Sequence, residues 1–99
     1  MKISVVIPTL NSERTIGIAV RSALSVADEV IVVDSYSTDK TVDLAEKEGA
    51  KVIQVKGSRL IARIEGAKRA KGDYVVNLDS DMYFSENFRG FEEKVIALG

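Results

Sequence analysis

Two aspartates, Asp79 and Asp81, stand one residue apart at the end of an apolar run, and their spacing suggests a cation site. In an extended segment, side chains two residues apart face the same way, so the two carboxylates would repel each other unless a cation lay close to both. Because the sequence has no histidine and no cysteine, a metal would have oxygen ligands, which favours Mg²⁺ or Mn²⁺. The alternative is a solvated turn in which both aspartates cap the following segment.

A third aspartate, Asp34, ends another apolar run and is followed at once by polar residues. At a strand end it could accept a hydrogen bond from an N–H group or a ribose hydroxyl of a ligand, or it could form a turn with Ser35–Ser37. Ser37 and Asp39 precede a helical pattern, where a helix cap is the simpler interpretation. Capping a helix and binding a ligand do not exclude each other at these positions.

Basic residues are concentrated in one stretch, where only Glu65 opposes them. They could recognise a phosphate-bearing ligand or form a solvated helix face. Arg59 and Arg63 are the better ligand candidates because they lie one turn apart near the helix start. Nucleic acid is disfavoured as a partner, since the net charge is −1 and no aromatic residues interleave with the basic ones. The basic residues are Lys56, Arg59, Arg63, Lys68, Arg69 and Lys71.

Alternating strands and helices must position these residues. Runs of β-branched residues predict four strands, of which the first two are expected to be buried, and apolar residues at helical spacing predict a helix after each. The expected strands are Ile3–Pro8, Glu29–Asp34, Lys51–Val55 and Asp73–Asp79. The expected helices begin at Asn11 or Ser12, at Thr38 or Asp39 and at Arg59, and a fourth is predicted from Phe84, Phe88, Phe91, Val95 and Leu98. In the third helix, the residues expected to face inward are Leu60, Ile61, Ile64 and Ala67.

The order βαβαβαβα predicts a three-layer, Rossmann-like α/β fold with one parallel sheet, and residues 1–99 are expected to form a single domain. Ligands of such sheets bind beyond the carboxyl ends of the strands, where the strand order reverses. The polar residues after the first, second and fourth strands should therefore gather on one rim. These residues are Thr9, Asn11, Asp34, Ser35, Ser37, Asp39, Asp79 and Asp81.

Composition narrows the class of protein. With 99 residues, of which 45% are hydrophobic and 29% charged, the chain is typical of one small soluble domain. The lack of cysteine excludes disulfides and is compatible with a reducing compartment. No apolar run approaches the roughly 18 residues of a membrane span, and no signal-peptide pattern is visible. We therefore expect a cytoplasmic protein.

Three stretches together resemble a known family: SVVIPTLN, VIVVDSYSTDKT and ARIEGAKRAKGDYVVNLDSDM. Their order and spacing are similar to those of the amino-terminal, sugar-nucleotide-binding half of inverting family 2 glycosyltransferases, which have the GT-A fold. The positions in register are Pro8, Asp34, Ser37, Asp39, Thr41, Gly66, Gly72, Asp79 and Asp81.

The resemblance implies a site for a nucleotide-diphosphate sugar, with UDP-sugars favoured and Mg²⁺ or Mn²⁺ as cofactor. Asp34 would accept a hydrogen bond from the base, and Arg63 would lie near the base or the phosphates. Asp79 would contact the ribose or the metal, and Asp81 would hold the cation that bridges the diphosphate. The predicted donor-site residues are Pro8, Thr9, Asn11, Asp34, Ser37, Asp39, Arg63 and Asp79, and the predicted metal ligands are Asp79 and Asp81.

Two departures from the family pattern bear on activity. Ile64 stands where the family usually has an asparagine. In the family, the acceptor-binding half comes later and supplies the carboxylate base, and we do not expect Glu86, Glu92 or Glu93 to replace it.

Three hypotheses follow from these features. The chain is an inverting glycosyltransferase, a non-catalytic sugar-nucleotide-binding half-domain truncated relative to the family, or, as a weaker alternative, a nucleotidyltransferase. In addition, a fourth strand without a neighbour on its far side predicts self-association through that strand or the adjacent apolar surface, most simply as a homodimer.

Overall fold

The computed structural model describes residues 1–84, in which strands and helices alternate as predicted. The strands are β1 (Ile3–Thr9), β2 (Glu29–Asp34), β3 (Lys51–Gln54) and β4 (Tyr74–Asn77). The helices are α1 (Ile16–Leu24), α2 (Thr41–Lys47) and α3 (Arg59–Arg69). The predicted fourth helix lies outside the described residues, apart from Phe84. Over residues 1–84, none of the helices is both long enough and apolar enough to cross a membrane.

The four strands form one parallel sheet in the order β3-β2-β1-β4. Strands are added on one side of β1 as far as β3, and the chain then crosses to the other side of β1 to form β4. This reversal places the switch point of the sheet between β1 and β4. Thr9 lies opposite Asp34 in the register of β1 and β2, so the polar residues that end these two strands are neighbours.

Helices cover both faces of the sheet, which confirms the three-layer prediction. Successive residues of a strand face opposite sides. Val5 and Ile7 of β1 belong to a buried cluster that includes residues of α1 and α2, whereas Val6 packs with Ala62 of α3. These strand residues are fully buried, which explains why β1 is apolar on both faces.

Helix α3 presents small residues to the sheet, and the prediction that Leu60, Ile61, Ile64 and Ala67 face inward is wrong. The buried residues of α3 are Ala62 and Gly66, while Leu60 is 64% and Ile64 is 48% exposed. The reason is the close approach of helix and sheet: a Cβ atom at Gly66 would lie 2.4 Å from Cγ1 of Val6. A large side chain has no room on this face of α3.

Helix α1 begins later than predicted, at Ile16. The N–H groups of Thr15 and Ile16 donate to the carbonyl oxygen of Ser12, so a turn precedes the helix and Thr15 is its N-cap. The expectation that Asn11 or Ser12 caps α1 is therefore wrong: Asn11 binds the loop after β2, and Ser12 binds Thr41 at the start of α2.

At the amino ends of the strands, Glu29 joins separate segments of the chain. Its carboxylate accepts hydrogen bonds from Ser4 Oγ (2.6 Å), the backbone N–H of Lys71 (2.5 Å) and Lys51 Nζ (3.2 Å). Partial burial acts to raise the pKa of Glu29, but the hydrogen bonds outweigh burial and hold the pKa below its ordinary value. Glu29 therefore anchors the connection that leads from α3 into β4.

Candidate functional site

The loops that follow β1 and β2 are joined through the carboxylate of Asp34, which is fully buried. Its Oδ1 accepts hydrogen bonds from Thr9 Oγ1 (2.6 Å) and Ser37 Oγ (2.5 Å), and its Oδ2 accepts one from the N–H of Ser37 (2.8 Å). A carboxylate has about four acceptor positions, so most of them are used within the protein. In this conformation, Asp34 stabilises the two loops by binding Thr9 and Ser37.

Three successive amides of the β1–α1 loop bind side chains of the β2–α2 loop and of the first residue of α2. The N–H groups of Asn11, Ser12 and Glu13 donate to Ser37 Oγ (2.7 Å), Thr41 Oγ1 (2.7 Å) and Asp39 Oδ2 (3.2 Å), respectively. Asn11 has a left-handed φ of 50°, and its Oδ1 accepts a hydrogen bond from the N–H of Thr38 (2.9 Å). The left-handed conformation, which asparagine tolerates better than most residues, turns the loop so that these amides face the β2–α2 loop.

Asp39 supports the start of α2 and contacts the β1–α1 loop. Its Oδ1 accepts hydrogen bonds from the N–H (3.0 Å) and the hydroxyl (2.5 Å) of Thr41, one residue beyond the N-cap Lys40. Desolvation acts to raise the pKa of Asp39, but the hydrogen bonds from Thr41 and from the N–H of Glu13 lower it below its ordinary value. The ionised form is therefore the one that this arrangement favours.

Asp79 and Asp81 lie in a turn, and the premise of an extended segment is wrong. β4 ends at Asn77, and the N–H of Met82 donates to the carbonyl oxygen of Asp79 (3.0 Å), which closes the turn. Asp79 is partly buried and Asp81 is exposed. We refer to residues 79–82 as the aspartate turn.

Helix α3 directs two arginines towards the aspartate turn. Oδ1 of Asp79 lies 3.2 Å from Arg63 Nη2 and 3.9 Å from Arg59 Nη1. The Nε of Arg63 is buried and has no hydrogen-bond partner within the described residues. The Arg63 guanidinium therefore has one buried donor that is left unsatisfied, which costs free energy.

Two adjoining cavities open at the carboxyl ends of β1 and β4. The first, of about 340 Å³, is lined by residues of β1, the β2–α2 loop and the amino end of α3. The second, of about 290 Å³, contains both Asp79 and Asp81 together with Arg14 and Arg59. Four residues line both cavities and form the boundary between them: Pro8, Ser12, Arg59 and Ser80.

The structure places some of the predicted site residues in the lining of the two cavities and leaves the others outside it. Pro8 and Thr9 line the first cavity, and Pro8, Asn11, Asp79 and Asp81 line the second. Asp34, Ser37 and Asp39 line neither cavity and bind the loops to each other, while Arg63 acts on Asp79. Cavity residues that our donor-site prediction omitted are Leu10, Ser12, Arg14, Thr15, Val33, Ser35, Gly57, Ser58, Arg59, Ala62 and Ser80. The sequence pointed to two of these residues: Arg59 lies in the basic stretch, and Ser35 was expected on the rim.

The donor chemistry of the second cavity fits Mg²⁺ or Mn²⁺. Its charged oxygen donors are the carboxylates of Asp79 and Asp81, and no group of three or more acidic side chains close enough to hold a metal occurs in residues 1–84. Mg²⁺ typically takes one or two carboxylates and completes its shell with water and substrate phosphates. The residues present therefore fit a cation that binds together with a phosphate-bearing ligand.

A parallel sheet with two adjoining cavities at its switch point defines a protein of the Rossmann-like α/β class. The model of the family described as "Glycosyl transferase family 2" matches residues 4–89, so the chain belongs to that family. Its fold is that of the GT-A glycosyltransferases. The resemblance seen in the sequence is thereby confirmed.

Curated relatives carry glycosyltransferase names. An uncharacterized glycosyltransferase of Rickettsia bellii is 40% identical over 97 residues, which are 97% of this chain and 33% of the relative. The poly(ribitol-phosphate) β-N-acetylglucosaminyltransferase TarS of Staphylococcus aureus is 35% identical, and the match covers 87% of this chain and 17% of TarS. The chain spans about a third of the length of the Rickettsia relatives that it matches.

Solved structures with the same fold contain nucleotide and metal. Glucosyl-3-phosphoglycerate synthase of Mycobacterium tuberculosis in complex with UDP has a TM-score of 0.75 and 36% identity, over 82% of this chain and 34% of the synthase. A complex of the same synthase with Mn²⁺, UDP and glucosyl-3-phosphoglycerate has a TM-score of 0.73 and 36% identity, over 80% and 33% of the two chains. A further complex contains Mg²⁺ and UDP.

Proposed function

We propose that this chain binds a nucleotide-diphosphate sugar, with UDP-sugars favoured, and is the donor-binding domain of a glycosyltransferase that inverts the anomeric centre. The observation that carries this proposal is the divided cleft at the β1–β4 switch point. One cavity is lined mainly by backbone, hydroxyl and apolar groups, and the other contains two carboxylates and two arginines. These surroundings suit a nucleoside and a diphosphate–cation pair, respectively.

The charges of the second cavity explain why a cation would be required. Asp79 and Asp81 would repel a diphosphate, and Arg63 and Arg59 are already directed at Asp79. Asp79 and Asp81 would hold a divalent cation, which would supply positive charge to stabilise a diphosphate leaving group. Arg59 lines both cavities and would contact the phosphates from the nucleoside side.

Transfer with inversion is a single displacement. The acceptor hydroxyl oxygen bonds to the anomeric carbon as the bond from that carbon to the UDP phosphate oxygen breaks. The hydroxyl proton passes to a carboxylate base. Asp34 and Ser37 would contribute by holding Thr9 and the β1–α1 loop in place. Direct contact of Asp34 with the nucleobase of the donor would require the buried Asp34 carboxylate to become exposed.

Calorimetric titration tests this proposal. UDP is expected to bind in the presence of Mn²⁺ and to bind more weakly in EDTA, with GDP as the comparison nucleotide. Asp81→Asn should reduce the gain in UDP affinity that Mn²⁺ confers by roughly tenfold, in line with the loss of a charged contact. Asp43→Asn, at an exposed position of α2, is the matched control and should bind like the wild type. If neither UDP nor GDP bound, with Mn²⁺ or with EDTA, the proposal would be refuted.

The second candidate function is donor binding without catalysis. Asp79 and Asp81 are the only acidic side chains that line the two cavities described in residues 1–84, and both are assigned to the cation. Among residues 1–84, no carboxylate of the cleft then remains to accept the hydroxyl proton. Under this alternative the purified chain binds UDP-glucose without releasing UDP by transfer, and measurable sugar transfer would reject it.

We also propose a homodimer formed through the outer edge of β4. Within residues 1–84, β4 is hydrogen-bonded to β1 alone, and Val75 is 38% exposed. Unpaired strand edges favour pairing with another chain, and a charge at the edge opposes it. Sedimentation velocity at increasing concentration should show a dimer that Val75→Lys weakens, whereas a strictly monomeric wild type would contradict the proposal.

We further propose that residues 1–99 form a single domain and that the protein is cytoplasmic. The cysteine-free composition supports such a location, because it is compatible with a reducing compartment. Fractionation of cells that express the tagged chain would test the location, and recovery of the protein outside the cytoplasmic fraction would refute it.

A further inference from the structure

We propose that Ser12 is a positioning residue that holds the aspartate turn in its ligand-binding geometry through the hydroxyl of Ser80. This inference rests on the proposed function, because it concerns how Asp79 and Asp81 are presented to a cation and a diphosphate. Ser12 itself contributes no charge. Its role is to connect the loop after β1 to the turn after β4.

Ser12 is bonded to the adjoining start of α1 and to two segments that are distant in the chain. Its N–H donates to Thr41 Oγ1 (2.7 Å) at the start of α2, and its carbonyl oxygen accepts from the N–H groups of Thr15 and Ile16 before α1. Its Oγ lies 3.0 Å from Ser80 Oγ. The position of the Ser12 backbone is therefore set by α1 and α2, and its hydroxyl transmits that position to Ser80.

The Ser12–Ser80 bond lies at the boundary of the cleft. Both residues line both cavities, and Ser80 stands between the two aspartates. Within residues 1–84, it is the one hydrogen bond that joins the loop of residues 10–15 to the aspartate turn. The turn itself is closed by the single bond from the N–H of Met82 to the Asp79 carbonyl.

The physical consequence is preorganisation. The hydrogen bonds to β1 end at Leu78, whose N–H donates to the Val6 carbonyl oxygen, and Asp79 contacts two arginines. Asp81 lies beyond these contacts and is exposed. Without the Ser12–Ser80 bond, Asp81 could move relative to the first cavity, and ordering it would then cost binding free energy. This cost falls on the part of binding that requires the metal, since Asp79 and Asp81 are the proposed cation ligands.

A double-mutant cycle on the full chain tests the proposal through UDP affinity with Mn²⁺ and with EDTA. Ser12→Ala and Ser80→Ala should each weaken Mn²⁺-dependent UDP binding by roughly three- to tenfold, the usual effect of one neutral hydrogen bond. The double variant should be no weaker than the weaker single variant, because both changes remove the same bond. UDP affinity in EDTA should change by less than about twofold, a split that a general loss of stability would not produce. Unchanged or additive effects would overturn the proposal.

A measurement without ligand separates this inference from the proposed function. Amide exchange of Met82, which reports the closure of the turn, should be faster in both single variants than in the wild type. Ser25→Ala is the matched control, since its hydroxyl bonds only the Ser22 carbonyl at the end of α1. If wild-type protein fails to bind UDP, the proposed function fails and amide exchange alone decides the role of Ser12. Wild-type exchange at Met82 in both variants refutes that role.

Discussion

The same chemical change, glycine to alanine, should have opposite effects on stability at Gly66 and at Gly17. Both residues lie in helices, where alanine is favoured over glycine by about 1 kcal/mol in a helix interior. At Gly17 in α1, the nearest atom to an added Cβ is Arg21 Nη1, 3.8 Å away at the end of a flexible side chain. At Gly66 in α3, the nearest atom is Val6 Cγ1 at 2.4 Å.

The magnitude at Gly66 follows from its surroundings. The added carbon would also lie 3.1 Å from Val33 Cγ2, and both valines are fully buried in the two central strands. Favourable carbon contacts are about 3.5–4.0 Å, so helix and sheet would have to separate by roughly 1 Å. Overpacking of this kind typically costs about 1–3 kcal/mol. After the gain in helix propensity of about 1 kcal/mol, we expect Gly66→Ala to lower the free energy of unfolding by up to about 2 kcal/mol.

Urea denaturation followed by circular dichroism would measure both variants beside the wild type. Gly17→Ala should raise the free energy of unfolding by up to about 0.5–1 kcal/mol. In thermal unfolding, each kcal/mol corresponds to roughly 4–8 °C for a domain of this size. If Gly66→Ala were as stabilising as Gly17→Ala, the close approach of α3 to β1 would be refuted, and with it our account of why Leu60 and Ile64 are exposed.

Three further predictions concern single side chains. Glu29→Gln should lower the free energy of unfolding by about 1–3 kcal/mol at neutral pH. Because the folded pKa of Glu29 lies below its ordinary value, the stabilisation is present above about pH 4.3 and is lost as the pH falls through the folded pKa, so acid titration should show variant and wild type converging. Asp34→Asn should destabilise the protein by about 2–3 kcal/mol, because the new amide donor would face the donors of Thr9 and Ser37. A destabilisation as small as that of the exposed control Asp43→Asn would contradict these hydrogen bonds. Tyr36→Gly should leave thermal stability unchanged or raise it. The exposed Tyr36 has a φ of 54°, a conformation that glycine adopts without strain. A loss of more than about 1 kcal/mol in the free energy of unfolding would argue against strain at this position.

The strands could be predicted closely because their sequences carry the necessary information locally. β2 has the predicted bounds, and β1 extends one residue beyond its prediction, to Thr9. Both are runs of β-branched residues that suit burial on two faces. The alternation of strands and helices then implied a parallel sheet and a rim at the carboxyl ends.

Helix α3 shows where local pattern was insufficient. Leu60, Ile61 and Ile64 have the spacing of an inward face, yet these residues are exposed. The distance between α3 and β1 determines which side chains fit, and that distance is a property of the packed sheet. The glycine at position 66 was visible in the sequence, but its contact with Val6 was not.

The sequence by itself determined which polar residues reach one rim, because residue types end the strands and the element order brings those ends together. Only the tertiary structure decided which of them face the cleft. Asp34 is buried among Thr9 and Ser37, whereas Asp79 and Asp81 line a cavity in a turn. The bond between Ser12 and Ser80 joins residues 68 positions apart. Hydrogen bonds between loops depend on distances of a few ångströms in the folded protein, and residue spacing along the chain does not contain those distances.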